Sequence, residues 1–536
     1  MTEKIHDILC GIFTYIMILL LGGLTFISLI STTFVNDHDE VYYISDRPWV
    51  HLLSLILILG AGYFIFVKMG LKLTDRMVIS AIVCFTVMAG IYVTMTGLVP
   101  RFDQRAVRAV AGDLAYGITD DYLPGGYAEI YPYQNGLILF YEAVIKIFGY
   151  ENHVVMQYIN LFFMAATEAG IILLSKRHSF YYREITMGFI LFLPYWGFVS
   201  FLYGNIPGYA CGIWALYFGS MFLKDRRIWA ALPSGVLCSL ACIFKLNFAI
   251  LLIAIGIYTL MDMMKRGGIW KAVLIISMVL FYVIGGKAVD ATIEARIGHE
   301  LTEGIPGLPY IAMGLHEHST RGAGWHDNYP EDTYEEIGHD PEISTERAKE
   351  DIRNTLADFR AHKAYMIGFF ERKVASMWNE PTYYSWSLQQ GRDQELDKSL
   401  FYPGIPFVTF FTDQFQTLLY GAALFYFIKH RKDRDFGKLF FALYFVGGFL
   451  CHLLWEAQSQ YAMLYAMGLT PYSVMGCRDL CRGAEGLMAS KDRVKILRIC
   501  LILAAVVLIL SIPALSRVLT LSRDDLRFAE YMAAPY

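Results

Sequence analysis

The chain has 536 residues, 56% of them hydrophobic, 15% aromatic and only 18% charged, where a soluble domain carries about 25% charge. Its mean hydropathy of +0.42 places it among integral membrane proteins. A net charge of −4 supplies neither a basic surface for nucleic acid nor a polybasic attachment to lipid headgroups.

About thirteen apolar runs are long enough to cross ~30 Å of hydrocarbon. They lie near 7–34, 49–69, 77–99, 152–175, 184–203, 206–223, 228–244, 246–264, 269–286, 404–428, 437–455, 460–476 and 494–516. The first is longer than the apolar core of a signal peptide and lacks a small-x-small cleavage site, so it is kept as a span. Lys and Arg gather in alternate connections: Lys68 to Arg76, Lys176 to Arg183, Lys224 to Arg227, Lys265 to Lys271, Lys429 to Lys438 and Arg478 to Arg498. Because such loops resist translocation, that side is read as cytoplasmic, with Met1 inside and Tyr536 outside. The fold class expected is an all-α polytopic membrane protein, with interfacial helices in two external loops. It divides into an N-terminal transmembrane hairpin (1–76), a core (77–286) with a first external loop (100–151), a large external loop (287–403), and C-terminal helices with a short external tail (404–536).

The first external loop opens on Pro100-Arg101-Phe102-Asp103-Gln104-Arg105. A carboxylate at a membrane surface beside cations and aromatic rings suits chemistry on a charged headgroup; pairing with Arg101 or Arg105 is the plain structural alternative. Gln104 to Tyr116 places Val107, Ala111, Leu114 and Ala115 on one stripe of a short interfacial helix. Pro124-Gly125-Gly126 forces a turn, and Tyr133 to Phe148 repeats the amphipathic pattern, too polar at Gln134 and Glu142 to be a span. Glu129, ahead of Tyr131-Pro132, is a second external acid, suited to orienting an acceptor or holding a cation. Asp120 and Asp121 suit a turn cap.

Lys245 falls in a tight external turn between two spans, where an ammonium is costly without a partner. A lipid phosphate would be one partner, and snorkelling to the interface is the other outcome. In the large loop, His316, His318 and His326 with Glu317 and Asp327 are metal ligands by type but lack chelating spacing. Ser344 is expected to cap a helix from about 345 to 362. Tyr365 to Trp378 forms a third interfacial helix, with Glu371, Arg372 and Lys373 opposite its apolar stripe. Trp378-Asn379-Glu380 offers aromatic planes and an amide to a pyranose, or simply an interface anchor. His452-Leu-Leu-Trp-Glu456-Ala-Gln458-Ser-Gln460-Tyr461 is the last external constellation, a sugar-recognising turn or a self-bonded polar hairpin. The nine cysteines all fall in spans or at their cytoplasmic ends, so no disulfide framework is expected, and Cys477 with Cys481 make a poor zinc pair. No nucleotide-binding fingerprint occurs, which disfavours a nucleotide-sugar donor.

A juxtamembrane Asp103-Gln104 pair, an interfacial helix, a Tyr131-Pro132 turn and a second amphipathic helix ending in Phe148-Gly149 together resemble the polyprenyl-phosphate-sugar glycosyltransferases of the GT-C fold. The protein O-mannosyltransferases and the lipid A aminoarabinose transferase belong to that group. The likeness is greatest to the glycosyltransferase family 39-like proteins of Gram-positive bacteria and spans roughly 77–480. It implies a GT-C-like bundle in the cell membrane with an extracytoplasmic active site. The donor would be an undecaprenyl-phosphate-like sugar, and the acceptor a cell-wall polymer, glycolipid or protein. It implies Asp103 as base in an inverting transfer, and Lys245, helped by Arg101 or Arg105, as the grip on the donor phosphate. Glu129, Tyr131, Gln134, Trp378, Asn379, Glu380, Glu456 and Tyr461 are the expected acceptor- and sugar-binding set. Family members carry an Arg where this chain has Gln460, which removes one cation from the phosphate site. Some members use a divalent cation, but no ligand set for one stands out here. A flippase or transporter of a lipid-linked saccharide is the alternative function, and a noncatalytic scaffold for wall-polymer assembly a third.

Overall fold

The computed structural model describes residues 2–36, 38–317, 321–385, 390–391, 395–435, 439–490, 498, 501–503, 505–506, 508–509 and 524–533. It is 79% helical. Among the described residues, seven helices are long and apolar enough to cross a membrane: Glu3–Ile30, Pro48–Lys68, Asp75–Thr96, His153–His178, Asn205–Asp225, Leu246–Arg266 and Ile269–Ile297. Each coincides with an expected run. Two more expected runs form shorter apolar helices, Ile228–Phe244 and Phe440–Leu454, and 404–428 lies within the long helix Glu395–Lys429.

Two runs are broken. Residues 184–203 fold as Tyr182–Ile190 and Leu193–Gly197 followed by a 3₁₀ turn at Phe198–Ser200, because Pro194 lacks the amide a continuing helix needs. Residues 460–476 split into Ser459–Met467 and Thr470–Ser490 around Gly468. Most of 494–516 lies outside the described residues. The all-helical expectation also needs amending: Ser31–Val35 and Val41–Ser45 pair as an antiparallel hairpin, and Val99–Pro100 pairs with Gln390–Gly391.

Exposure separates lipid-facing helices from central ones. Pro48–Lys68 and Ile269–Ile297 carry their apolar side chains outward, as with Leu57 and Ile276, the arrangement expected where the surrounding medium is apolar. Asn205–Asp225 is mostly buried. It packs between His153–His178 on one side and Ala231–Phe244 on the other, and Ala231–Phe244 in turn meets Ala272–Ile297. A second group joins Glu395–Lys429 to Thr2–Ile30 and to Thr470–Ser490.

The amphipathic helices of the first loop form as expected. Phe102–Ala115 buries Val107, Val110, Ala111 and Leu114, and packs on Asn135–Phe148, which buries Leu137, Ile138, Val144 and Ile145. Phe148 itself is exposed. Helix ends follow local chemistry: the Thr74 hydroxyl accepts from the Met77 amide at 3.3 Å to start Asp75–Thr96, and Gly97, at φ +52°, ends it. The helix expected from Ser344 begins earlier, at Pro341, with Asp340 accepting from the Glu342 and Ile343 amides. Ser344 is instead fully buried inside it.

Candidate active site

Two buried amides on one face of His153–His178, three residues apart, position the loops that matter. Gln157 donates to the Leu98 carbonyl at 2.7 Å, and Asn160 donates to the carbonyls of Val199 and Phe201 at 3.2 and 2.8 Å. The Leu202 amide then donates to Gln104 Oε1 at 2.7 Å. Asp103 and Tyr203 are thereby brought together, and the Tyr203 hydroxyl, which accepts from Gln134 Nε2 at 2.7 Å, hydrogen-bonds the Asp103 carboxylate.

Lys245 reaches the same place from the other side. It ends the helix Ala231–Phe244 in extended backbone, and its ammonium donates to Asn205 Oδ1 at 2.8 Å. That ammonium stands 4.2 Å from the Tyr203 ring centre and 5.0 Å from that of Tyr461, a cation–π cradle. Gly204 makes the approach possible: its φ is +78°, and a Cβ there would sit 2.1 Å from the Phe244 carbonyl oxygen. Gly204→Ala is therefore expected to cost about 1–3 kcal/mol in strain and to lower the melting temperature in detergent; an unchanged melting curve would mean that the Lys245 turn does not depend on this contact.

Asp103 combines high solvent accessibility with dense surrounding protein. Both hold at once only on the wall of a recess. Crowding pushes its pKa above the usual carboxylate value, opposed by the Tyr203 hydrogen bond and by His326 and Lys245. Its position in the first turn of Phe102–Ala115 also favours the anion. The residue before it, Phe102, has φ +50°, a strained conformation for an aromatic residue. Burial lowers the Lys245 pKa to about 7, with Asp103 and Glu456 pulling the other way.

His326 and Glu331 complete the charge set. They face each other at 3.2 Å, and Glu331 accepts from the Tyr131 hydroxyl at 2.5 Å. Burial works against the imidazolium, but Glu331, Glu456 and Asp103 together raise its pKa to about 9. Glu456 is shifted upward by burial, against His326, and accepts from the Tyr461 hydroxyl at 3.3 Å. The recess thus holds three carboxylates (Asp103, Glu331, Glu456) and two cations (Lys245, His326) among tyrosine rings. Beside it a groove of about 420 Å³ is lined by Tyr133, Ile243, Leu246, Tyr282 and Val283, among others.

Several expected site residues go elsewhere. Arg101 lies over the Phe102 ring at 4.8 Å and Arg105 is exposed; the cations that act most on Asp103 are His326 and Lys245, so neither arginine is its leading partner. Glu129 is consumed by structure: its carboxylate accepts from the Tyr334 hydroxyl at 3.1 Å and the Gly125 amide at 3.3 Å and faces His339 at 3.4 Å. Gln134 acts through Tyr203. Trp378, Asn379 and Glu380 are 2%, 1% and 1% exposed, with Trp378 packed on Phe445 and Phe449 and Asn379 donating to the Ser31 carbonyl at 2.8 Å. The patch is a core joint and offers no face to a sugar.

Two of the three charges assigned to the outer face of the helix Lys363–Trp378, Arg372 and Lys373, are buried, and Glu371 is half-buried. Arg372 makes a two-pronged pair with Glu317 at 2.7 Å per contact, and Lys373 donates to the carbonyls of Gly314 and Trp455. Lys373 thereby fixes the segment that carries Glu456, and burial lowers its pKa to about 7. His316 pairs with Asp327 at 3.1 Å, beside a separate polar cavity of about 460 Å³ that also involves Glu317 and Asp358. His316, His326, Glu317 and Asp327 therefore do not converge on one ion, and His318 lies outside the described residues. Cys477 and Cys481 are free thiols.

Tyr203, Asn205, His326 and Glu331 entered the site without a sequence argument for their roles. Only His326 had been singled out, for its ligand chemistry. Compared with protein-family models, curated proteins and solved structures, the chain matches none of them.

Proposed function

We propose that this protein is an integral membrane glycosyltransferase that moves a sugar from a polyprenyl-phosphate donor to an acceptor hydroxyl on the extracytoplasmic side, with inversion at the anomeric carbon. One observation carries the reading: a solvent-reachable carboxylate, Asp103, and an ammonium, Lys245, share one recess through Tyr203. The adjoining groove, lined largely by apolar and aromatic side chains, suits the isoprenoid chain of a lipid donor. A sugar on a lipid phosphate already has a good leaving group, so the protein chiefly has to remove a proton and absorb charge.

In the step, Asp103 takes the acceptor's hydroxyl proton as its oxygen bonds to the anomeric carbon. The carbon–oxygen bond to phosphate breaks, and the electron pair leaves with the phosphate. Lys245 and His326⁺ then face the growing negative charge, while Glu456 and the tyrosine hydroxyls offer hydrogen bonds to the sugar. Burial, which raises the Asp103 pKa, makes its carboxylate a stronger base than a solvated one.

The test supplies purified protein in proteoliposomes with synthetic polyprenyl-phosphate sugars and an extract of cell-envelope acceptors, and follows free polyprenyl phosphate by mass spectrometry. Release with stoichiometric sugar transfer is the expected result. Movement of intact donor between leaflets, with no bond cleaved, would replace transfer by flipping.

A further inference from the structure

Away from the recess, two neighbouring residues of the N-terminal hairpin meet a third, more than three hundred and fifty positions further on, where the hairpin joins the long helix Glu395–Lys429. They are Asp46, just after the strand Val41–Ser45, His51 in the first turn of Pro48–Gly62, and Asp413. One ligand atom from each lies within 4.8 Å of the others. His51 is 0% exposed and Asp413 4%.

The polar contacts of this cluster are incomplete in a specific way. His51 Nε2 stands 3.0 Å from Asp46 Oδ2 and 3.5 Å from Asp413 Oδ2, yet it is a buried nitrogen with no hydrogen bond of acceptable geometry. The two carboxyl groups flank that nitrogen. Its other ring nitrogen, Nδ1, is 3.4 Å from the Thr417 hydroxyl. Gln414 Oε1, also buried, is likewise without a hydrogen bond.

Charge gives the second argument. Two acids and an imidazole share this joint, and among the described residues no Lys or Arg pairs with either acid. A divalent cation held by both acids and the imidazole would supply the positive charge that no Lys or Arg brings to this joint. The carboxylates are already oriented: the Thr32 hydroxyl bridges Asp46 Oδ2 at 2.5 Å and Asp413 Oδ1 at 3.2 Å, and Gln414 Nε2 donates to Asp413 Oδ2 at 3.0 Å.

We propose that Asp46, His51 and Asp413 bind one divalent transition-metal ion, which clips the N-terminal hairpin to Glu395–Lys429. One imidazole and two carboxylates are a donor set for Zn²⁺ or Mn²⁺, softer than the all-oxygen shells that Mg²⁺ and Ca²⁺ prefer. The ion closes a loop of more than three hundred and fifty residues, from His51 to Asp413, so its effect falls on stability. The site uses none of the recess residues, so its test is independent of the proposed activity.

The full chain, purified in detergent with any affinity tag removed, is stripped with chelator and titrated with Mn²⁺ and, separately, Zn²⁺. The expected result is one ion per chain by elemental analysis, an immobilised Mn²⁺ signal by electron paramagnetic resonance that Zn²⁺ displaces, and a higher melting temperature with either ion. His51→Gln and Asp413→Asn should each lose the bound ion and the thermal shift. Asp46→Asn, at the more exposed ligand, serves where those variants fail to fold. Wild-type protein that holds no ion above buffer background overturns the proposal, as does a folded variant that binds Mn²⁺ as tightly as wild type.

Discussion

Asp103→Asn is expected to reduce sugar transfer by about 10²–10⁴-fold, the usual contribution of a positioned general base, while the protein inserts and folds as before. Asparagine keeps the size and the ability to accept from Tyr203 but cannot take up the acceptor proton. The pKa shift adds a second readout. Because burial raises the carboxyl pKa in the folded protein, the ionised form is the destabilised one. Stability is fully retained below the unfolded value of about 3.9 and declines as pH rises from there through the folded value. At pH 7 the variant, which is always neutral, should melt at or above the wild-type temperature. Lower activity with equal or greater thermal stability is the signature of a group held against its own folding preference for function. Retained turnover with purified donor removes Asp103 from the mechanism, and a large loss of stability makes it a structural carboxylate.

Lys245→Met is expected to raise KM for the lipid donor more than tenfold, since it removes a charge-assisted contact worth ~1.5–3 kcal/mol. The pH profile distinguishes this from a packing defect. With a folded pKa lowered to about 7, the ammonium is only partly protonated in the empty recess at neutral pH. A phosphate docking beside it favours the charged form, so binding takes up a proton. Donor KM should rise as pH climbs above about 7 in the wild type and be flat over that range in Lys245→Met. The stability sign is the reverse of the usual lysine case: the lowered pKa costs stability as pH falls from about 10.4 through the folded value. At pH 6 Lys245→Met should therefore be no less stable than wild type. A wild-type KM independent of pH would show that Lys245 does not meet the phosphate.

Periodicity carried much of this architecture and little of its chemistry. Long apolar runs and the 3.6-residue stripes at Val107–Leu114 and Leu137–Ile145 were legible because burial of one face leaves a repeating mark in the chain. The breaks at Pro194 and Gly468 were less so, since composition stays apolar across them. At the site, Asp103 and Lys245 stood out because charge beside apolar sequence is costly wherever it falls. Tyr203, Asn205 and Glu331 leave no such mark: tyrosines are common at membrane borders, and their convergence is made by tertiary contacts through Gln157, Asn160 and Gln104. Trp378 to Glu380 shows the opposite error. Aromatic and amide groups that suit a sugar suit a core joint equally, and only burial tells them apart. Arg372 and Lys373 were assigned to solvent by spacing alone, because their partners, Glu317 and the carbonyls of Gly314 and Trp455, are distant in sequence.

The helix Ile269–Ile297 has 29 residues, about 44 Å at ~1.5 Å per residue, against ~30 Å of hydrocarbon. Its surplus is the polar end, where Arg296 grips Glu142, itself held by Lys146 at 2.6 Å. An overlong rod thereby fastens to the amphipathic helix Asn135–Phe148. The fastened helix follows directly on Gln134, which donates to the Tyr203 hydroxyl beside Asp103, so the rod and the recess are tied by one short chain of contacts.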